Sequence, residues 1–131
     1  MNAHFEVKIG SDTRDILMSF GLLSTLCNIV VDPARCPLIT IDPILRSEVL
    51  SELLAVRKKS GKIITPVEDV DDIDMSVEDA EGLLNWAAEH VLSFFVRNLK
   101  RSNDLLNQHK GTLEALQSSV TGSANSVSST A

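Results

Sequence analysis

Aromatic residues are scarce: there is no tyrosine, one tryptophan (Trp86) and four phenylalanines (Phe5, Phe20, Phe94 and Phe95) in 131 residues. A core built from so few rings must be mostly Leu, Ile and Val, and a chain of this length supports one modest core. Cysteine is equally sparse. Cys27 and Cys36 cannot make a disulfide framework; Cys27 falls at apolar helical spacing and reads as a buried free thiol. No apolar run approaches membrane-spanning length. The opening MNAHFEVKIGSD lacks the cationic start and apolar centre of a signal peptide, so a reducing cytoplasm is the expected compartment. No broad basic field exists to grip a phosphate backbone. The dense cations are Arg57, Lys58, Lys59 and Lys62. The GxxxxGK[ST], GxGxxG, CxxC and HExxH patterns are absent from the sequence. His4, His90 and His109 are scattered, His90 reading as a partly exposed structural residue, so no positive feature points to an enzyme or a cofactor.

Acidity, by contrast, is concentrated. EDVDDIDMSVEDAE, Glu68 to Glu81, holds eight carboxylates, while the whole chain has a net charge of −6. A calcium loop needs oxygen ligands at positions 1, 3 and 5, Gly at 6 and Glu at 12. Starting at Asp69 puts Ile73 at position 5 and Asp74 at 6; starting at Asp72 puts Val77 at 6 and Leu83 at 12. Neither register fits. Catalytic carboxylates need a pocket and a partner that separates their pKa values, and no His or Lys interrupts this run. The better reading is a solvated loop over 65–75, pinned by Ile73 and Val70, that leads into a helix. Ser76 caps that helix, Asp79 completes a near capping box, and Glu78, Asp79 and Glu81 sit at its positive end.

Earlier in the chain, Phe5, Val7 and Ile9 alternate with Glu6 and Lys8, and Ile16, Met18 and Phe20 alternate after the turn residues Gly10 to Thr13. This predicts a β-hairpin over 4–18; the competing reading starts a helix at Asp12. Leu22, Leu23, Leu26, Cys27 and Val30 then share a helical face behind Ser19 as N-cap, and the pattern stops at Asp32-Pro33. LITI after Pro37 reads as a brief extended piece. Asp42 and Pro43 supply an N-cap and an N1 proline for a second helix with the stripe Leu45, Val49, Leu53 and Val56, widened by Leu50 and Leu54. Gly61 is its expected end, which would make the basic run a cationic helix terminus.

From Ser76 the helical pattern persists to about residue 109, with a kink at Gly111 or a short final helix to about 118. Ala80, Leu84, Ala87, Ala88, Val91, Phe95, Leu99, Leu105 and Leu106 share one face, interrupted by Asn98, Ser102 and His109. Such a helix is about 50 Å long at 1.5 Å per residue, more than the roughly 35 Å width of a compact domain of this size. Part of it should project or meet another subunit; the alternative is that it folds back over the hairpin and the shorter helices. An apolar stripe with polar interruptions resembles a helix–helix seam, which predicts a homo-oligomer through this helix. Trp86 lies near the opposite face, either as a packing residue or as a binding hot spot. The candidate partner-binding residues are Trp86, Val91, Phe94, Phe95, Leu99, Leu105 and Leu106. The expected fold is mainly α: a small N-terminal β-hairpin, two short helices and one long C-terminal amphipathic helix. It forms a single domain over 1–118, followed by a flexible Ser/Thr-rich tail over 119–131.

Three segments carry a family resemblance: VKIGSDTRDILMSFGLLSTLC, IDPILRSEVLSELL, and MSVEDAEGLLNWAAEHVLSFFVRNLK with its W-x-x-E-H-x-x-x-F-F core. Their order is similar to tail-assembly chaperones of long-tailed bacteriophages, over roughly residues 5–100. The resemblance implies a non-enzymatic factor in the host cytoplasm. It would coat the tape-measure protein, keep its apolar helices soluble and recruit tail-tube protein, with no nucleic acid, membrane or cofactor involved. Such families often include a longer, frameshifted product. The runner-up is a structural virion protein, a head–tail connector or tail-completion subunit; a cytosolic adaptor is a third reading.

Overall fold

A computed structural model describes residues 1–57, 63–67, 69–112 and 114–116, with Ile64 described for its backbone only. The architecture is mainly α, with an N-terminal antiparallel hairpin, short helices and one long helix. The expected tail over 119–131, together with Gly61, Lys58, Lys59 and Lys62, lies outside the described residues. The chain divides into two compact units, Met1–Phe95 and the segment from Val96 onward; the division falls inside the long helix.

In the first unit, β1 (His4–Ile9) pairs antiparallel with β2 (Asp12–Leu17) in a register running from His4 opposite Leu17 to Ile9 opposite Asp12. Gly10 occupies the tight two-residue connection at φ +64°, a conformation that favours glycine. The hairpin reading therefore holds over the helix alternative. Its inner face buries Val7 and Ile16. Helix α1 (Phe20–Val30) begins as the sequence implies: Ser19 Oγ accepts from Leu22 N–H at 3.2 Å. Leu22, Leu23, Leu26 and Val30 are buried on one side. Cys27 is only half-buried, and the enclosed thiol is Cys36.

Helix α1 ends at a strained residue. Val31 adopts φ 72° and ψ −44°, its side chain exposed, while Asp32 N–H donates to Val30 O across it at 2.9 Å. This is a γ-turn of the disfavoured hand, which a β-branched residue adopts only at a cost. Val31→Gly should therefore raise stability by about 1 kcal/mol. Relief of strain worth ~1–3 kcal/mol outweighs the extra freedom that glycine has in the unfolded chain; the midpoint of chemical denaturation measures the difference.

Asp32 caps a 3₁₀ turn (Pro33–Arg35), and α2 (Leu38–Ile41) follows. LITI is thus helical rather than extended. Pro37 already sits at φ −62°, ψ −23°, Asp42 N–H closes the turn onto Leu38 O at 2.8 Å, and Ile39 is fully buried, so tertiary burial overrides β-branched preference. Asp42 caps α3 (Pro43–Leu54), its Oδ1 accepting from Ile44 and Leu45 N–H, with Pro43 in the first helical position. Helices α1 and α2 both pack on α3, which buries Leu45, Val49, Leu50, Leu53 and Leu54.

Two expectations fail at the end of α3. The helix stops at Leu54 instead of running toward Gly61, and Val56 is exposed in a strand instead of completing the inner stripe. Ala55 turns extended (φ −62°, ψ 142°). Then β3 (Val56–Arg57) pairs antiparallel with β4 (Ile63–Thr65), with an irregularity between Val56 and Arg57. The stop comes from β2: the Arg14 guanidinium donates to Leu54 O and, at 2.8 Å, to Ala55 O. It satisfies carbonyls that a glycine cap or one more helical turn would otherwise have engaged. Arg57 is consequently not a helix-terminal cation; it pairs with the Glu52 carboxylate.

Candidate functional site

The acidic stretch resolves into caps. Asp69 Oδ1 accepts from Asp71 N–H at 3.0 Å and opens a 3₁₀ turn (Val70–Asp72), while Val70 and Ile73 pack on the core as expected. Ser76 Oγ accepts from Asp79 N–H at 3.1 Å ahead of α4 (Val77–Gln108). Asp79 does not reach back to close a capping box. Its Oδ2 accepts from Lys8 N–H at 3.0 Å, and Asp74 O accepts from Gly10 N–H at 2.8 Å. The acids at the start of α4 thus hold the unpaired side of β1. Among the described residues no group of three or more His, Cys, Asp or Glu side chains converges as a metal site. No single described helix is long and apolar enough to cross a membrane.

The candidate partner-binding residues separate along α4. Trp86 is 7% exposed, closed against Phe5 (ring centroids 5.5 Å apart) and His90 (5.0 Å, edge-on). Its Nε1–H donates to Asn2 O at 2.7 Å, and His90 Nε2 meets the same oxygen at 2.7 Å. A carbonyl only accepts, so Nε2 of His90 carries a proton; the two donors use both lone pairs of Asn2 O. His90 is buried, more so than its sequence context suggested. Val91 is fully buried. Trp86 and Val91 are therefore committed to the chain's own packing. Trp86 is the packing residue of the two alternatives, because β1 supplies the ring and the N-terminal segment before it supplies the carbonyl that a polar-looking helix face could not reveal. The buried side of α4 is Leu83, Leu84, Trp86, Ala87, His90 and Val91, turned from the expected stripe toward Leu83 and Trp86. Gly82 belongs to this packing: a Cβ there would lie 3.1 Å from Phe5 Cζ.

Phe94 and Phe95 are half-buried, and Phe94 meets Phe20 edge-on at 6.4 Å. In the second unit Leu99, Leu105 and Leu106 are 58%, 57% and 52% exposed. Leu92 and Val96 are also exposed; the partner-residue reading omitted them, although they follow Ala88 at helical spacing. Every described residue from Leu99 onward is exposed. This stretch is an amphipathic helix whose leucines meet no described part of a core.

The first unit also has an open groove of about 580 Å³, with Leu50, Val70, Ile73 and Leu84 among its apolar lining and Arg46 and Glu81 among its charged residues. The thiols lie elsewhere. Burial pushes the pKa of both Cys27 and Cys36 up; the second thiol adds to the effect at Cys27, and Asp32 at Cys36. Folding thus favours the protonated thiols. Their contribution to stability is complete below the unfolded-state thiol pKa and is lost as pH rises through the raised native values. Native protein at mildly alkaline pH should alkylate more slowly than denatured protein, with Cys36 slower than Cys27. Mass spectrometry of iodoacetamide-labelled peptides tests both statements. Compared with known proteins, the chain matches no family model, no curated protein and no solved structure.

Proposed function

We propose that this chain is a non-enzymatic assembly factor that shields apolar helices of another protein, as a phage tail-assembly chaperone does. It would bind and solubilise the tape-measure protein and help recruit tail-tube protein in the host cytoplasm. The observation that supports this reading is the exposed leucine face of α4: Leu99, Leu105 and Leu106, each more than half accessible, on a helix whose earlier turns are buried in a core. An amphipathic helix with an uncovered apolar side can pack on a partner helix. Phe94 and Phe95 precede that face on the same helix. The reading requires no cofactor, nucleic acid or membrane.

Co-expression with the tape-measure protein encoded nearest to this gene is the test. The wild-type chain should raise the soluble fraction of that protein. Leu99→Asp with Leu106→Asp should abolish the gain while leaving the helical signal of the chaperone unchanged, since both side chains are exposed. A soluble fraction indifferent to the wild-type chain would overturn the proposal. So would abundant copies of this chain in purified mature virions, the outcome expected of a connector or completion subunit.

A further inference from the structure

The open groove of the first unit has the form of a helix cradle. Its lining runs from Thr40 to Asn85, all within Met1–Phe95. Val77, Ala80, Glu81, Leu84 and Asn85 line it from α4 at i, i+3, i+4, i+7 and i+8, one side of a helix. Arg46 and Leu50 line it from α3, one turn apart. Leu50 and Leu84 are buried and form its base, whereas Val77 is 72% exposed. The segment that leads into α4 is pinned: Val70 and Ile73 pack on the core, and Gly10 N–H donates to Asp74 O at 2.8 Å. The trough is therefore preformed, and the step from Val77 to Asn85 gives it a length of about 12 Å, two helical turns.

We propose that this groove docks an amphipathic helix of another protein, apolar on one face and bearing Lys or Arg beside that face. The site uses none of Leu99, Leu105 and Leu106, and it stands whatever client those leucines take. Two lining helices present ridges and grooves that a third helix can enter. None of the described lining residues belongs to a strand, so an extended peptide finds no sheet edge to lengthen. Charge selects the sign of the partner. Arg46, Asp71 and Glu81 line the groove, and among the described residues none of the three makes an ion pair. Two carboxylates against one guanidinium leave the groove negative. Residues 1–95 reinforce this with sixteen carboxylates against eight Lys or Arg. That field attracts a cationic partner and disfavours an anionic one such as a fatty acid. Leucine-sized anchors fill the space over Leu50 and Leu84, and flanking ammonium groups reach Asp71 and Glu81, both exposed. Met75, half-buried in the lining, has an unbranched side chain that adapts to anchors of different shape.

Fluorescence anisotropy on the full chain tests the site. The probe is a labelled synthetic helix of about fifteen residues, with leucines at i, i+3, i+4 and i+7 and lysines on both flanks; its control carries glutamates in place of the lysines. The wild type should bind the lysine helix, more weakly as salt rises, and should bind the glutamate helix much less. Asp71→Lys with Glu81→Lys should weaken the lysine helix on the order of tenfold and strengthen the glutamate helix. Asp71→Asn with Glu81→Gln, which only removes the charges, should fall between. Circular dichroism of both variants should match the wild type, the two side chains being exposed. A lysine helix that fails to bind, or binds no better than its glutamate control, overturns the proposal. Binding that survives the charge reversal but is lost in Leu99→Asp with Leu106→Asp overturns it too, because the probe then sits on the leucine face. Sedimentation velocity supplies the remaining arm: self-association of the wild type that the charge reversal abolishes would give the groove to a second copy and overturn the assignment to another protein. Failure of the tape-measure co-expression test refutes the chaperone reading alone; failure of the lysine helix refutes the groove alone.

Discussion

Trp86→Ala should cost about 3–5 kcal/mol of folding stability, the range for truncating a large buried aromatic. The loss has two parts. The indole ring gives up its packing against Phe5 and its edge contact with His90, and the vacated volume lies where Gly82 lets Phe5 approach the α4 backbone. The Nε1–H bond to Asn2 O disappears as well, releasing the start of β1 from the helix. Trp86→Phe separates these parts: it keeps most of the ring burial and loses the hydrogen bond, for an expected cost nearer 1 kcal/mol. Urea denaturation followed by circular dichroism measures both. A small domain has only about 5–15 kcal/mol in total, so the alanine variant should unfold at a much lower midpoint. If its midpoint matched the wild type, the indole would contribute nothing to the core and the surface-hot-spot alternative would return.

Arg14→Met should cost about 2 kcal/mol and do so in a particular place. The substitution keeps an apolar stem of similar reach and removes the donors to Leu54 O and Ala55 O. Charge-assisted hydrogen bonds are worth roughly 1.5–3 kcal/mol each, but burial lowers the Arg14 pKa, a sign that desolvation takes back part of that gain. Hydrogen exchange should rise at the last turn of α3 and across β3 and β4, where the chain now changes direction, and little at α1. Arg14→Lys should recover less than half the loss, because one ammonium group cannot span two carbonyls as a planar fork does. Uniform exchange across the whole first unit would show that Arg14 acts on global stability and not as the stop of α3.

Where the sequence was legible, the signal was local. Gly10 in the hairpin loop, Ser19 and Asp42 as caps, Pro43 in a first turn and Ser76 ahead of α4 each act on backbone within four residues, so a reader of neighbouring letters can find them. What escaped is held from a distance. Arg14 ends α3 from forty residues away, and nothing between Leu54 and Gly61 advertises that stop. LITI has the composition of a strand, yet Ile39 is buried only if the segment coils. The buried side of α4 was rotated in the reading because Trp86 and His90 look polar-facing until Asn2 O and Phe5 are brought to them. Of the candidate partner residues, Leu99, Leu105 and Leu106 are exposed, and a stripe without a local counterpart is visible in the letters. That Trp86 and Val91 are buried was not legible there, because burial depends on which distant element arrives.

The double hydrogen bond at Asn2 O also fixes an order of events during synthesis. The ribosome makes that carbonyl 84 residues before Trp86 and 88 before His90. Nascent β1 and β2 can zip early, but Asn2 O and Phe5 wait for a helix that is still unmade. Phe5 waits for Trp86 through most of translation, and the first unit closes only as α4 emerges. A pause or truncation before residue 86 would release a polypeptide carrying every short element of the fold and lacking the piece that seals them together.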